Sequence, residues 1–128
     1  MQGQAQIGGI AMTGIRGAIT VETDTEKEIL ENTKELLLQI IEKNGLEKEK
    51  ITAMFFSCTK DLKTAYPAVA AREIGFTDIA LMCFQEMHVE GSLEKCIRVC
   101  IFYDEKMDKA CIRPVYLKSA ARLRPDLT

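Results

Sequence analysis

The stretch Lys95-Cys96-Ile97-Arg98-Val99-Cys100-Ile101-Phe102 combines a β-strand pattern with one charged residue at its centre. Short runs rich in Ile, Val and Phe are typical of strands, and a strand that is apolar on both faces usually lies inside a domain. A guanidinium there must meet an anion, because an unpaired buried charge is strongly destabilising and arginine does not escape by losing its proton. The stretch therefore predicts either an internal carboxylate partner for Arg98 or a site for an anionic ligand.

Two further arginines, Arg16 and Arg72, also lie among apolar or small residues. Arginine binds carboxylate or phosphate through a rigid, two-pronged set of N–H donors. The period-2 geometry of a strand places Arg16 on the same face as Gly14 and Ala18, which leave room around it. Three such arginines in a small acidic domain predict a site for a small anion.

The composition is that of an ordinary globular protein. The 128 residues include 47% hydrophobic and 28% charged side chains and give a net charge of −2, which provides no electrostatic footprint for nucleic acid. No apolar run approaches the roughly 18 residues of a membrane span, and no signal-peptide pattern opens the chain. We therefore expect a cytoplasmic protein with no nucleic-acid or membrane partner.

Five cysteines and a single histidine, His88, limit the chemistry that the chain can perform. No cysteines form a C-x-x-C pair, and one histidine is too few for the usual zinc sites. We expect most of the cysteines to be reduced core thiols. The sequence also lacks a Ser-His-Asp or Cys-His arrangement and a phosphate-binding glycine loop, so a zinc site is not expected and covalent catalysis and nucleotide chemistry are weakly supported.

The sequence predicts one domain with flexible ends. Residues 1–11 are rich in Gln and Gly and predict a flexible arm or a cloning remnant. A single domain is predicted over residues 12–128. Its end, about 118–128, is basic with one proline and predicts a short helix and a mobile tail.

Hydrophobic periodicity predicts the secondary structure inside that domain. One amphipathic helix is predicted to begin at a capping box over 23–26 and to end at Asn44-Gly45, and a shorter helix is bracketed by Pro67 and Gly75. Strands and helices alternate early and strands dominate late, so we predict an α/β or α+β fold, a mixed five-stranded sheet with helices on one side. The predicted strands cover 15–21, 51–58, 79–84, 95–102 and 112–117.

Three residues near the predicted sheet have more than one possible role. Glu86 follows an apolar strand and could be a hydrogen-bond acceptor, a general base or the structural counter-ion of Arg98. Cys83 lies three residues earlier, so it shares a pocket with Glu86 only if the strand bends there, and otherwise belongs to the core. Tyr116 is either a core residue with a satisfied hydroxyl or a ligand-binding group.

Several segments of the chain recur in a fixed order in one protein family. They are residues 14–21, residues 66–68 with Arg72, and residues 83–87, 96–99, 113–117 and 123–127. In this order the chain resembles the monofunctional chorismate mutases of the trimeric, pseudo-α/β-barrel class. The resemblance covers almost everything from Gly14 onward, and the combined set is specific although each piece alone is weak.

The resemblance implies an isomerase that converts chorismate to prephenate by an intramolecular Claisen rearrangement, in aromatic amino-acid biosynthesis. The reaction of that family needs no metal, cofactor or covalent intermediate. The implied assembly is a homotrimer with active sites at the subunit interfaces. Chorismate is a dicarboxylate whose ether oxygen gains negative charge as its C–O bond breaks, and this agrees with the three arginines.

The resemblance also implies roles for individual residues. Arg98 would face the ether oxygen and a substrate carboxylate, and Arg16 and Tyr116 would bind carboxylate. Glu86 with Cys83 would hydrogen-bond the ring hydroxyl and nearby polar atoms. Arg98, Glu86, Cys83 and Arg16 are the catalytic residues that the resemblance implies.

Other substrate-binding residues are implied on a neighbouring subunit and on the tail. Tyr66, Ala68 and Arg72 would come from the neighbouring subunit, and Leu123 and Arg124 would lie on a mobile tail over the mouth of the site. The complete implied substrate-binding set is Arg16, Tyr66, Ala68, Arg72, Met82, Cys83, Glu86, Arg98, Tyr116, Leu123 and Arg124.

Two positions depart from the family pattern. Val69 stands where family members can carry a cation, so one contact at the rim could be missing. His88 stands where an acidic residue is also seen, and we expect a solvated loop histidine.

Two other functions compete with the mutase. One is a trimeric small-anion-binding module without turnover, and the other is an enamine/imine deaminase on a related trimeric barrel. The combination of Glu86, Cys83 and Tyr116 with Arg98 favours the mutase, because the deaminase leaves Arg16 and the tail without a role.

Overall fold

The computed structural model describes residues 12–127, which form a five-stranded mixed sheet with two α-helices packed on one face. The predicted fold class, with helices on one side, is confirmed. The flexible arm predicted over residues 1–11 lies outside the described residues. The strands are Thr13–Thr20 (β1), Ile51–Cys58 (β2), Ala80–Gln85 (β3), Cys96–Tyr103 (β4) and Val115–Leu117 (β5), and the helices are Glu26–Asn44 (α1) and Pro67–Glu73 (α2).

The strand order across the sheet is β3-β2-β4-β1-β5. The central strand β4 pairs antiparallel with β1 and β2, whereas β2 with β3 and β1 with β5 are parallel. Parallel neighbours need a crossover connection, and α2 provides it between β2 and β3. This order places Arg98 in the middle of the sheet.

The two faces of the sheet differ in how they are covered. The helix-covered face carries the main core, in which side chains from alternate strand positions pack against α1 and α2. Over residues 12–127, the open face is covered at one corner only, by a 3-10 helix, Lys118–Leu123, that packs near Ala18 and Cys96. The expectation that Arg98 lies in a strand buried on both faces is therefore wrong for a single chain, because its side chain is on the open face and 47% exposed.

Gly17 allows α1 to approach the sheet closely. A Cβ at this position would lie 2.7 Å from Cδ1 of Ile40 and 2.8 Å from the carbonyl oxygen of Val115. A larger residue would push α1 or β5 away from β1. Gly17 thus serves the packing of the helix-covered face, opposite to the face that carries Arg16.

The N-cap of helix α1 lies two residues later than predicted, because the predicted capping box over 23–26 would place it at Thr23. Thr25 is the N-cap, and its side chain accepts a hydrogen bond from the Glu28 N–H. Thr23 instead lies in a bend before the helix, where its carbonyl oxygen accepts from the Thr25 N–H. The predicted end is confirmed, since Gly45 takes the left-handed conformation that a C-terminal cap requires.

The last strand is shorter than predicted. β5 begins at Val115 instead of residue 112, because a 3-10 turn, Lys109–Cys111, and Pro114 interrupt the extended pattern. Proline cannot donate a hydrogen bond to a neighbouring strand. A short helix after β5 is confirmed as the 3-10 helix Lys118–Leu123. Among residues 12–127, no helix is long and apolar enough to span a bilayer.

The five cysteines are free thiols. Burial raises the pKa of Cys58 to about 12 and that of Cys96 to about 11, so both thiols stay protonated at neutral pH. The core prediction is confirmed for Cys96, and Cys58, Cys83 and Cys100 are partly buried. Cys111 is the exception, and it is exposed because it ends a surface turn.

Candidate active site

The centre of the open face carries an ion pair between Arg98 and Glu86. Nε of Arg98 lies 3.6 Å from Oε1 of Glu86, and the side chains are 47% and 32% exposed. Glu86 is therefore partly buried, as its position after an apolar strand predicts. The pair is longer than a direct charge-assisted hydrogen bond of about 2.8 Å. Because arginine has five N–H donors, Arg98 can still bind a second anion.

Ser57 and the backbone of β2 hold Glu86 in place. The Ser57 hydroxyl donates to Oε1 of Glu86 at 2.7 Å, and the Glu86 N–H donates to the Cys58 carbonyl oxygen at 2.8 Å. The sequence prediction missed Ser57. A signal was available, because Ser57 is a hydroxyl residue in an apolar strand and shares the face of Phe55 two residues earlier.

Arg16 and Tyr116 complete this group on the neighbouring strands. Ala18 of β1 pairs with Arg98 of β4 on one side and with Tyr116 of β5 on the other. A shallow recess of about 220 Å³ lies between Arg16, Ser57, Arg98 and Tyr116. The arginine cluster is defined here as Arg16, Ser57, Glu86, Arg98 and Tyr116.

A second group of predicted site residues surrounds the start of α2. A cavity of about 490 Å³ is lined by Tyr66, Val69 and Cys83, and Tyr66 is 71% exposed. Burial raises the pKa of Cys83, while a hydrogen bond from the Ala68 backbone and the charge of Arg72 oppose the shift. The α2 cluster is defined here as Tyr66, Ala68, Arg72 and Cys83.

The arginine cluster and the α2 cluster do not meet within one chain. Met82 and Cys83 alternate along β3, so Met82 is exposed on the open face while Cys83 packs against the main core. β3 keeps a regular register with β2 up to Gln85, and no bend turns Cys83 towards Glu86. A pocket shared by Cys83 and Glu86 is therefore not formed in a single chain.

The C-terminal segment brings one more arginine to the arginine cluster. Nε and Nη2 of Arg124 bind the two carboxylate oxygens of Asp126 at 3.2 and 3.1 Å, which lowers the pKa of Asp126. The hydrogen bond to Asp126 and, to a smaller extent, the nearby Tyr116 phenol raise the pKa of Arg124. Leu123 packs against the small cluster of Ala18 and its neighbours. The tail thus lies beside the recess, with Arg124 paired to an internal carboxylate.

His88 is exposed in the loop after β3, as expected for a solvated histidine. Within the described range 12–127, no group of three or more His, Cys, Asp and Glu side chains could hold a metal ion.

Comparison with known proteins identifies the family. A family model described as chorismate mutase type I matches residues 12–127. The chain is 48% identical over 116 residues to the chorismate mutase AroH of Bacillus subtilis, covering 90% of this chain and 91% of that protein. It is 47% identical over 115 residues to the chorismate mutase AroH of Thermus thermophilus, covering 89% and 94%.

A solved structure agrees with these matches. The fold is similar to that of a chorismate mutase from Clostridium thermocellum, with a TM-score of 0.83 and 49% sequence identity over 86% of this chain and 98% of that one. Of the three functions that the sequence left open, these matches support the mutase and neither the anion-binding module nor the deaminase. The chain belongs to the chorismate mutase type I family.

Proposed function

We propose that this chain converts chorismate to prephenate at sites shared between neighbouring copies of itself. The relatives at 47–48% identity are named chorismate mutases, and the whole matched region lies within the domain described above. The observation that carries the residue-level proposal is the arginine cluster, in which Arg16 and Arg98 share one recess. Two guanidinium groups on one exposed face suit a substrate with two carboxylates.

The proposed chemistry is non-covalent. In the rearrangement, the ether C–O bond breaks while a C–C bond forms within the same molecule, so no group leaves and no external proton is needed. Negative charge develops on the ether oxygen in the transition state. A fixed positive charge at that atom stabilises the transition state more than the substrate. Arg98 suits this role because it projects from the central strand, and its ion pair with Glu86, at 3.6 Å, leaves its N–H donors free for the substrate.

Three further members of the arginine cluster bind and orient the substrate. Arg16 and the Tyr116 phenol bind a carboxylate, and Glu86 accepts a hydrogen bond from the ring hydroxyl. Arg124 releases Asp126 and binds a substrate carboxylate in the same recess, while Leu123 holds the tail against the sheet. Holding the substrate in its folded, reactive conformer supplies a further part of the rate.

The site is shared because one chain supplies only a shallow half of it. The 220 Å³ recess is smaller than the roughly 300–1,000 Å³ typical of ligand pockets. We place the α2 cluster of a neighbouring chain over it, so that Tyr66, Ala68 and Arg72 close the site. Cys83 also comes from the neighbouring chain, and its protonated thiol donates a hydrogen bond to polar atoms of the substrate near the ring hydroxyl.

The open face also supports self-association. Phe55, Met82 and Phe84 are exposed on it, and Phe55 makes edge-on contacts with Phe84 and Phe102 at centroid distances of 5.9 and 5.1 Å. Exposed apolar patches of this kind mark interaction surfaces. A homotrimer, closed by a head-to-tail interface into a pseudo-α/β barrel, would cover this face in every copy.

The proposed location is the cytoplasm, and the proposed pathway is aromatic amino-acid biosynthesis. Five free thiols are compatible with a reducing compartment. The pathway follows from the family, whose substrate is the branch-point precursor of phenylalanine and tyrosine.

The test of the proposed function is the turnover of chorismate by the purified protein. The loss of its ultraviolet absorbance should be much faster than in buffer, and proton NMR should identify prephenate as the product. Protein denatured by heat serves as the control for contaminating small molecules. A rate equal to that of buffer, with folding verified by circular dichroism, would refute the function.

A further inference from the structure

We propose that Ser57 is a positioning residue that keeps the carboxylate of Glu86 directed at the substrate and away from Arg98. This inference rests on the proposed function for its kinetic consequence, and on geometry alone for its structural one. The Ser57 hydroxyl donates to Oε1 of Glu86 at 2.7 Å. That distance lies in the range of a strong O–H···O⁻ hydrogen bond, about 2.5–2.7 Å.

Ser57 is well placed to hold a flexible side chain. It lies on β2 between two other strands, with its Cα opposite Arg98 on β4 and Phe84 on β3. Glu86 comes directly after β3, and its N–H donates to the carbonyl oxygen of Cys58 on β2. Backbone and carboxylate of Glu86 are thus both attached to consecutive residues of one strand, which restricts the rotamers of a long side chain.

The two oxygen atoms of Glu86 have different surroundings. Oε1 accepts from Ser57 and lies 3.6 Å from Nε of Arg98. Among the residues that the structure describes, Oε2 accepts no side-chain or backbone hydrogen bond. An ionised carboxylate can accept several hydrogen bonds, so Oε2 is the atom that a substrate hydroxyl would meet.

Ser57 also limits the competition between Glu86 and the substrate for Arg98. A carboxylate and a guanidinium in contact prefer about 2.8 Å and often form two parallel hydrogen bonds. At 3.6 Å the pair is looser than this, and the Ser57 bond pulls Oε1 towards β2. Without the hydroxyl, Glu86 would close on Arg98 and occupy the donors that the reacting oxygen needs.

Replacing Ser57 tests this role in solution. Ser57→Ala should lower kcat/KM by roughly ten- to a hundredfold, the usual range for losing one hydrogen bond to a charged group. Ser57→Thr retains the hydroxyl on a strand-compatible side chain and should stay within about threefold of wild type. The matched control is Thr52→Ala on the same strand, which removes a hydroxyl bonded to the Phe102 carbonyl oxygen and should leave activity unchanged.

A double-mutant cycle separates positioning from a general structural effect. If Ser57 acts through Glu86, then Ser57→Ala in a Glu86→Ala background should change kcat/KM by less than about twofold. A full, additive loss in that background would overturn the proposal. Equal activity of Ser57→Ala and wild type would overturn it as well.

Crystal structures of wild type and Ser57→Ala provide a readout that does not depend on turnover. The carboxylate of Glu86 should move towards Arg98 by more than about 0.5 Å, the tolerance of a preorganised site, while β2 and β4 stay in place. A carboxylate that remains where it is would refute the positioning role. A wild-type protein that does not rearrange chorismate would instead refute the proposed function, and the crystal structures would still decide the role of Ser57.

Discussion

On strand β4, alternate residues meet two different environments. Ile97, Val99 and Ile101 are buried between the sheet and the helices. Arg98 and Cys100 alternate with them along the strand and face the open side. The helix-covered face contains closely packed aliphatic side chains. The open face contains charged groups, a few aromatic rings and a shallow recess.

This difference shows how one strand can serve stability and chemistry at the same time. Buried apolar area on one face stabilises the sheet, so residues on the other face need not pack well. Charged groups held by a rigid sheet keep their positions without large reorganisation during a reaction. Substitutions on the two faces should therefore affect different measurements.

The largest effect on stability is expected on the helix-covered face. Phe56 is 1% exposed, and Phe56→Ala should lower the free energy of unfolding by about 3–5 kcal/mol, since it removes a buried ring and leaves a cavity. Urea denaturation at one fixed protein concentration measures this, because an oligomer's stability depends on concentration. A loss below about 1 kcal/mol would mean that this face is not the main core.

Arg98 provides the opposite case on the open face. Arg98→Ala should lower kcat by at least about 10²–10³, the usual scale for losing one preorganised donor to a developing charge. The unfolding transition should change little, because the side chain is half exposed. Steady-state kinetics should place much of the loss in kcat, and a variant altered in KM alone would contradict the electrostatic role.

The C-terminal tail covers only a corner of the open face, so its removal should have a smaller effect. A chain that ends before Leu123 should show KM raised by about tenfold, as expected for losing a charged hydrogen-bonding group, and kcat lowered less. The reason is that Arg124 does not line the recess itself but lies near Tyr116, one of its lining residues. Equal KM values for the truncated and full-length enzymes would contradict a covering role for the tail.

Cys83 should show the smallest effect. Burial raises the pKa of the Cys83 thiol above its value in the unfolded chain. The thiol is therefore protonated throughout the neutral pH range and acts as a neutral hydrogen-bond donor. Cys83→Ser should stay within about tenfold of wild type and show the same rate profile between about pH 6 and 8. Mass spectrometry during turnover should detect no substrate adduct, and an adduct on Cys83 would refute the non-covalent mechanism.

The sequence predicted the bounds of some strands and helices better than those of others. β2 was predicted with its observed bounds, because an apolar run between polar turns has one simple interpretation. The start of α1 was misplaced, because both Thr23 and Thr25 are followed three residues later by Glu. Local sequence could not decide which hydroxyl would cap the helix.

The sequence predicted the candidate site as a set of residues but not as an arrangement. Arg16, Glu86 and Arg98 were indicated both by the strand patterns and by the resemblance, and the structure brings these three together. Neither indicated Ser57, whose role depends on the register between β2 and β4. Strand geometry left two alternatives for Cys83, and the regular register of β3 places it away from Glu86.

The most direct test of the central claim, that each site takes one cluster from each of two chains, is a mixing experiment. Arg16→Ala and Arg72→Ala remove one arginine from the arginine cluster and one from the α2 cluster, and each homotrimer should be nearly inactive. In a ring of three with head-to-tail interfaces, every mixed ring contains one junction with both arginines intact.

Unfolding and refolding the two variants together at equal concentration should make about three-quarters of the rings mixed, by binomial counting on that cyclic arrangement. Activity should recover to about one quarter of the wild-type value, although each variant refolded alone stays inactive. Absence of recovery, with mixed trimers confirmed by native mass spectrometry, would show that both arginines act within one subunit and would contradict the shared site.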